Sequence, residues 1–272
     1  RLAAEQGHCE AQYSLGQKYT EDKSRHKDNG QAIFWLKKAA LQGHTFASNA
    51  LGWTLDRGED PNYKEAVAWY QIAAESGMSY AQNNLGWMYR NGNGVAQDYT
   101  LAFFWYKQAA LQGHSDAQNN LADLYEDGKG VAQNETLAAF WYLKSAQQGN
   151  RHAQFQIAWD YNAGEGVDQD YKQAMYWYLK AAAQGSVGAY VNIGYMYKHG
   201  QGVEKDYQAA FEWFTKAAEC NDATAWYNLA IMYHYGEGRP VDLRQALDLY
   251  RKVQASGTRD VSQEIREIED LL

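Results

Sequence analysis

Residues 81–113 read AQNNLGWMYRNGNGVAQDYTLAFFWYKQAALQG, and this stretch decides the fold. Its landmarks are Ala81, Leu85, Gly86, Tyr89, Gly92, Gly94, Ala102, Trp105, Tyr106, Ala109, Ala110 and Gly113. Moving each forward by 36 positions gives Ala117, Leu121, Ala122, Tyr125, Gly128, Gly130, Ala138, Trp141, Tyr142, Ser145, Ala146 and Gly149. A second step of 36 reaches Ala153, Ile157, Ala158, Tyr161, Gly164, Gly166, Ala174, Trp177, Tyr178, Ala181, Ala182 and Gly185. A fixed period of this size marks small units that bury a core only by stacking on their neighbours.

The units open at Ala11, Ala47, Ala81, Ala117, Ala153, Ala189 and Ala225, and the step from Ala47 to Ala81 is two residues short. Each reads as two helices. In the first, an alanine, a leucine and a tyrosine four residues apart share one face. A small residue follows the leucine (Gly16, Gly52, Gly86, Ala122, Ala158, Gly194, Ala230). Glycine within a helix costs about 1 kcal/mol against alanine, so its recurrence predicts close approach of another helix. The Gly-x-Gly turns predict a sharp reversal with positive φ. Asn62, Asp98, Asn134, Asp170, Asp206 and Asp242 stand where the second helix needs an N-cap. Gly7, Gly43, Gly77, Gly113, Gly149, Gly185 and Gly257, with Asn221 once in their place, are predicted left-handed C-caps.

This joint motif, A-x-x-x-L-G-x-x-Y, G-x-G, A-x-x-W-Y-x-x-A-A-x-x-G, resembles the Sel1-like repeat family, relatives of the tetratricopeptide repeats, from about Ala3 to Gly257. The resemblance implies an all-α, right-handed superhelix of stacked helix pairs acting as a protein-interaction scaffold. The expected layout is a solenoid over 1–257, starting with a partial unit at 1–7, and a C-terminal capping helix over 258–272. Arg1–Gly7 matches Lys107–Gly113, so the chain opens in mid-unit and further residues are expected upstream. In the capping segment, Val261, Ile265, Ile268 and Leu272 form an apolar stripe.

The formal net charge is −8, with acids and bases interspersed. Nucleic acid demands clustered Lys and Arg, and no basic stripe exists, so neither nucleic acid nor an anionic membrane is an expected partner. No apolar run approaches the ~18 residues of a membrane span. Cys9 and Cys220 lie too many units apart to bridge in a stacked array. The absence of a disulfide framework, which some secreted relatives carry, favours the cytoplasm over the periplasm.

Candidate chemistry is sparse. The seven histidines include no His-x-x-x-His pair, and His8, His44 and His114 recur at one position of the unit, which spreads them along the stack. No metal site and no cofactor is expected. The Gly-x-Gly turns join helices, whereas a phosphate loop follows a strand. Ser24-Arg25-His26-Lys27 fits the Ser-x-x-Lys of penicillin-interacting enzymes, and some disulfide-rich relatives are described as β-lactam binding. The companion Ser-Asp-Asn and Lys-Thr-Gly elements are missing, so the enzyme reading is the rival, with Glu59 and Asp60 read as solvated turn residues.

The functional signal lies on the first helices. Counting the opening alanine as zero, positions 0, 4 and 8 are expected inside. Positions 2, 6 and 9 share another face, which in tetratricopeptide-type arrays lines the concave groove. The candidate binding residues there are Tyr13, Asn49, Trp53, Asn83, Trp87, Arg90, Asn119, Asp123, Glu126, Phe155, Trp159, Tyr195, Lys198 and Tyr227. Tryptophan and tyrosine are interface anchors, and asparagine can serve a peptide backbone. A peptide with apolar side chains and a basic residue opposite Asp123 and Glu126 would suit this wall. Two alternatives stand beside it: the rings of adjacent units fill space against each other, or the chain self-assembles through exposed ends. The asparagines at position 3 (Asn84, Asn120, Asn192, Asn228) are expected to hydrogen-bond between units.

Overall fold

Side-chain caps mark the starts of most of the helices described below. The computed structural model describes residues 1–20, 28–58 and 60–272. Within these, sixteen α-helices and no strand occur. The chain divides into two compact units, Arg1–Ser145 and Ala146–Leu272.

The first unit holds α1 (Leu2–Glu5), α2 (Cys9–Thr20), α3 (Asn29–Ala40), α4 (Thr45–Asp56), α5 (Tyr63–Glu75), α6 (Ser79–Asn91), α7 (Tyr99–Leu111), α8 (Ser115–Asp127) and most of α9 (Glu135–Gln147). The second holds α10 (Arg151–Ala163), α11 (Tyr171–Ala183), α12 (Val187–His199), α13 (Tyr207–Glu219), α14 (Ala223–Tyr235), α15 (Leu243–Ser256) and α16 (Ser262–Glu269). Helices pack on their sequence neighbours as pairs, such as α4 on α5 and α12 on α13, and within each unit a pair packs on the next, as α5 does on α6 and α11 on α12.

The caps follow the residue types. Asp98 Oδ1 accepts from the amides of Thr100 and Leu101, Asp170 from Lys172 and Gln173, Asn134 from Leu137, and Asp206 from Ala209. Each of these cap residues also donates its own amide to the carbonyl of the tyrosine at position 8, as Asp98 does to Tyr89 at 2.9 Å. Asn221, at φ 62°, is the one non-glycine with positive φ among the described residues, as its place in the C-cap series predicts. In Gly92-x-Gly94 the second glycine also meets the preceding repeat, because a Cβ on Gly94 would stand 2.5 Å from the Tyr63 carbonyl.

The large rings that are fully buried come from the second helices. Tyr70, Tyr106, Tyr142, Tyr178, Phe214 and Tyr250 are buried to within about 1%. Burial of such a ring contributes roughly 1.5–3 kcal/mol. The small residue of the first helix exists for this ring: a Cβ on Gly86 would lie 2.7 Å from the Tyr106 ring, and one on Gly194 would lie 2.7 Å from Phe214. The expected inward set needs one correction. Positions 0 and 4 are buried from Ala47 and Leu51 onward, and Leu55 and Tyr125 at position 8 are buried too, but Tyr89, Tyr161, Tyr197 and Tyr233 at position 8 are only half-buried. At position 7, Met88, Leu124, Met196 and Met232 are fully buried or nearly so.

A glutamine ladder supplements the apolar core. Gln82 and Gln118 are buried and donate to the carbonyls of Ala74 and Ala110, and Gln112 donates to Gln82 Oε1 at 2.7 Å. In the second unit Gln154 donates to Ala146, and Gln184 donates to Gln154. Buried amides are tolerated only when paired, and this ladder pairs them across successive helix pairs. The carboxy-terminal helix α16 packs on α15 and buries Val261 and Ile268 with Tyr250 and Val253.

Candidate functional site

The rings of position 6 stand at the surface of the first helices. Trp53 on α4, Trp87 on α6 and Trp159 on α10 retain 42%, 43% and 42% of their surface, and Tyr195 on α12 is similarly exposed. A core role would have buried them as Tyr70 and Tyr106 are buried. Position 2 lies deeper: Tyr13, Asn49, Asn83, Phe155 and Tyr227 are half-buried, and Asn119 is buried. Phe155 packs on Tyr178 at 5.7 Å, and Tyr13 packs on His44 at 4.5 Å. These position 2 rings serve packing as well as surface.

Position 9 is tied to the buried tyrosines. Tyr70 Oη donates to Asp56 Oδ2 at 2.7 Å. Tyr142 Oη lies 2.9 Å from Asp123 Oδ1 and 2.8 Å from Glu126 Oε2. Burial and the adjacent carboxylates push both tyrosines far above their ordinary range, which keeps them neutral donors. Arg90 Nη1 donates to Asp123 Oδ2 at 3.0 Å. Asp123 and Glu126 are therefore engaged within the chain, and the basic ligand side chain expected opposite them meets carboxylates that already have donors. In the unit where Phe214 replaces the tyrosine, position 9 is Lys198, and it pairs with Glu237 at 2.7 Å. A cation there has no hydroxyl to meet and turns to the next turn's acid.

The asparagine register is borne out in the first unit only. Asn84 Nδ2 donates to Asn49 Oδ1 at 3.2 Å, and Asn120 Nδ2 donates to Asn83 Oδ1 at 3.1 Å. Asn192 and Asn228 bond carbonyls of their own helices, Gly188 and Thr224. The cause is local, because the preceding position 2 there is Phe155 or Val191, which offers no acceptor.

A cleft of about 140 Å³ opens on this face of the first unit, lined by Asp56, Arg57, Asn83, Asn84 and Trp87. Burial raises the Asp56 carboxyl above its ordinary value, against the opposing effects of the Tyr70 hydrogen bond and the Arg57 charge. Asp56, Arg57 and Asn84 were not among the expected binding residues, although the register at position 9 marks Asp56. Arg57 lies just beyond the helix, where the repeat has no fixed register. Among the described residues no group of three metal-ligating side chains occurs, and no helix is long and apolar enough to cross a membrane. Cys9 and Cys220 are free thiols. Ser24 and Lys27 of the enzyme motif, and Glu59, lie outside the described residues.

The fold and this face define an all-helical array of helix-pair repeats. A profile of the Sel1 repeat matches residues 9–44, 45–78, 79–114, 115–150, 151–186, 187–222 and 223–252, and the chain belongs to the Sel1 repeat family. It is 97% identical over 78 residues to the Sel1-repeat-containing protein YbeQ of Escherichia coli strain K12. That match takes in 29% of this chain and 24% of YbeQ, so the chain spans about a quarter of the length of this curated relative. Among solved structures, c5321, a protective antigen present in uropathogenic Escherichia coli strains displaying an SLR fold, superposes with a TM-score of 0.87 at 35% identity. That superposition covers 94% of this chain and 55% of c5321. A Sel1 repeat protein from Oxalobacter formigenes gives 0.72 at 32% identity, over 79% of this chain and 86% of that one. Repeat folds of this kind are commonly protein-interaction scaffolds.

Proposed function

We propose that the chain is a non-enzymatic scaffold that captures a peptide or protein segment along positions 2, 6 and 9 of its first helices. The carrying observation is that Trp53, Trp87 and Trp159, in register at position 6, are exposed, whereas the other seven tryptophans are buried or half-buried. A tryptophan left two-fifths open offers much contact area for few rotatable bonds, which is how interface anchors work. The flanking asparagines supply donors and acceptors to a bound backbone. The free thiols and the lack of a disulfide framework favour a reducing compartment for this role.

The test is affinity capture of partners with the wild type and with Trp87→Ala combined with Trp159→Ala, one substitution in each compact unit. Partners held by the wild type and released by the variant support the reading. Equal capture by both proteins contradicts it.

A further inference from the structure

Asp56, on this face, keeps an oxygen without a hydrogen-bond donor. Its side chain is 10% exposed, and only Oδ2 is served, by Tyr70. Oδ1 is buried and receives no hydrogen bond. Arg57 Nε stands 3.7 Å from this Oδ1, a long ion pair beyond hydrogen-bond reach, on a side chain that is 66% exposed. The Arg57 guanidinium rests 5.1 Å from the Trp53 ring centroid, a cation–π distance on a position 6 tryptophan. The half-open ring of Trp87 lines the same cleft. Asn84 gives its Nδ2 to Asn49, which leaves its Oδ1 as an acceptor. A carboxylate desolvated with one oxygen unserved is costly, and that cost falls away when a donor arrives.

We propose that the cleft of Asp56, Asn83, Asn84 and Trp87 receives an arginine side chain of the captured peptide, its guanidinium on the Asp56 carboxylate and across the Trp87 ring. The assignment rests on the interaction-face reading and adds the chemistry of one position. Charge decides the sign of the ligand group: Asp123 and Glu126 already hold Arg90 and Tyr142 by hydrogen bonds, whereas the cation beside Asp56 is Arg57, exposed and paired only at 3.7 Å. Shape decides between cations, because a planar guanidinium both stacks on an indole and forks onto a carboxylate, which a lysine ammonium cannot do. Arg57 is the resident competitor at the mouth, held weakly enough to be displaced.

The experiment titrates isotopically labelled protein with the peptide acetyl-Ala-Ala-Arg-Ala-Ala-amide and with its citrulline counterpart, which has the same shape and no charge. The readouts are the Trp87 indole N–H and the Asn83 and Asn84 side-chain amides. The arginine peptide is expected to shift these signals saturably. The citrulline peptide and the Asp56→Asn protein are expected to bind about tenfold or more weakly, the loss of one charge-assisted contact. Arg57→Ala is expected to bind a few-fold more tightly. Trp87→Leu, at an exposed position, provides a second variant that keeps the fold and also weakens binding. Absence of saturable shifts with the arginine peptide overturns the assignment. Equal binding of both peptides, or of wild type and Asp56→Asn, also overturns it while leaving the interaction face intact; that face fails only if the tryptophan variants capture partners as the wild type does.

Discussion

The hydroxyl of Tyr70 on α5 reaches back 2.7 Å to the carboxylate of Asp56 at the end of α4, so the deepest ring of one helix fixes a polar group at the surface of its partner. The same bond recurs from Tyr142 to Asp123 and Glu126. Removing the hydroxyl leaves a largely buried oxygen without its donor. Tyr70→Phe is therefore expected to cost about 1–3 kcal/mol, with the ring packing retained. Urea unfolding followed by circular dichroism measures it, and a change under a few tenths of a kcal/mol would show the bond to be idle.

Asp56 itself weighs against stability at neutral pH. Its folded carboxyl is raised above the usual value, chiefly by burial. A raised group contributes stability below its unfolded pKa of about 3.9 and loses that contribution as pH climbs through the folded value. Asp56→Asn keeps an acceptor for Tyr70 and removes the charge, so it is expected to melt higher than wild type at pH 7, with the gap closing in acid. A lower melting point for the variant at pH 7 would contradict this. A carboxylate retained at a cost in stability is what a binding role for the cleft requires.

Two glycines with similar backbone angles separate conformational strain from contact. Gly113 has φ +88° and open space around a would-be Cβ, whereas Gly94 has φ +72° and the Tyr63 backbone in the way. Gly113→Ala is expected to cost about 1–2 kcal/mol, the left-handed penalty alone. Gly94→Ala is expected to cost clearly more, because a carbonyl cannot step aside. Thermal melts of the pair decide it, and equal losses would show that the turn does not rest on the preceding helix start.

His114 caps α8 through Nδ1, which accepts from the Ala117 amide at 3.3 Å and so needs the neutral ring. Burial lowers its pKa, with the Asp116 charge opposing. Its contribution is intact above the unfolded value of about 6.5 and is lost as pH falls through the lowered folded one. His114→Asn keeps a capping oxygen and is expected to flatten that part of the acid stability profile. An unchanged profile would remove His114 from the account.

The parts legible in the sequence were those set by near neighbours along the chain. Asp98, Asp170 and Asn221 announce caps because a cap is chosen by its own side chain and the next turn. Gly86 announces a close approach, although not that the object approaching is Tyr106, twenty residues on. The glutamine ladder went unread even though Gln82, Gln118 and Gln154 repeat in register, since a polar residue beside a buried alanine looks like a surface residue until the facing carbonyl is seen. The engagement of Asp123 depended on where Tyr142 and Arg90 point, which is a property of packing. For the same reason, Asn120 and Asn192 look alike in sequence and bond differently in space.

The measurement closest to the central claim is a paired melt and partner-capture assay on Trp87→Ala with Trp159→Ala. Both rings are more than two-fifths exposed, so helicity is expected to be unchanged and the melting point to move by no more than a few degrees, as for surface substitutions. Capture of partners is expected to disappear. A collapse in melting temperature would make these rings part of the core, and undiminished capture would place binding elsewhere; either result contradicts the account.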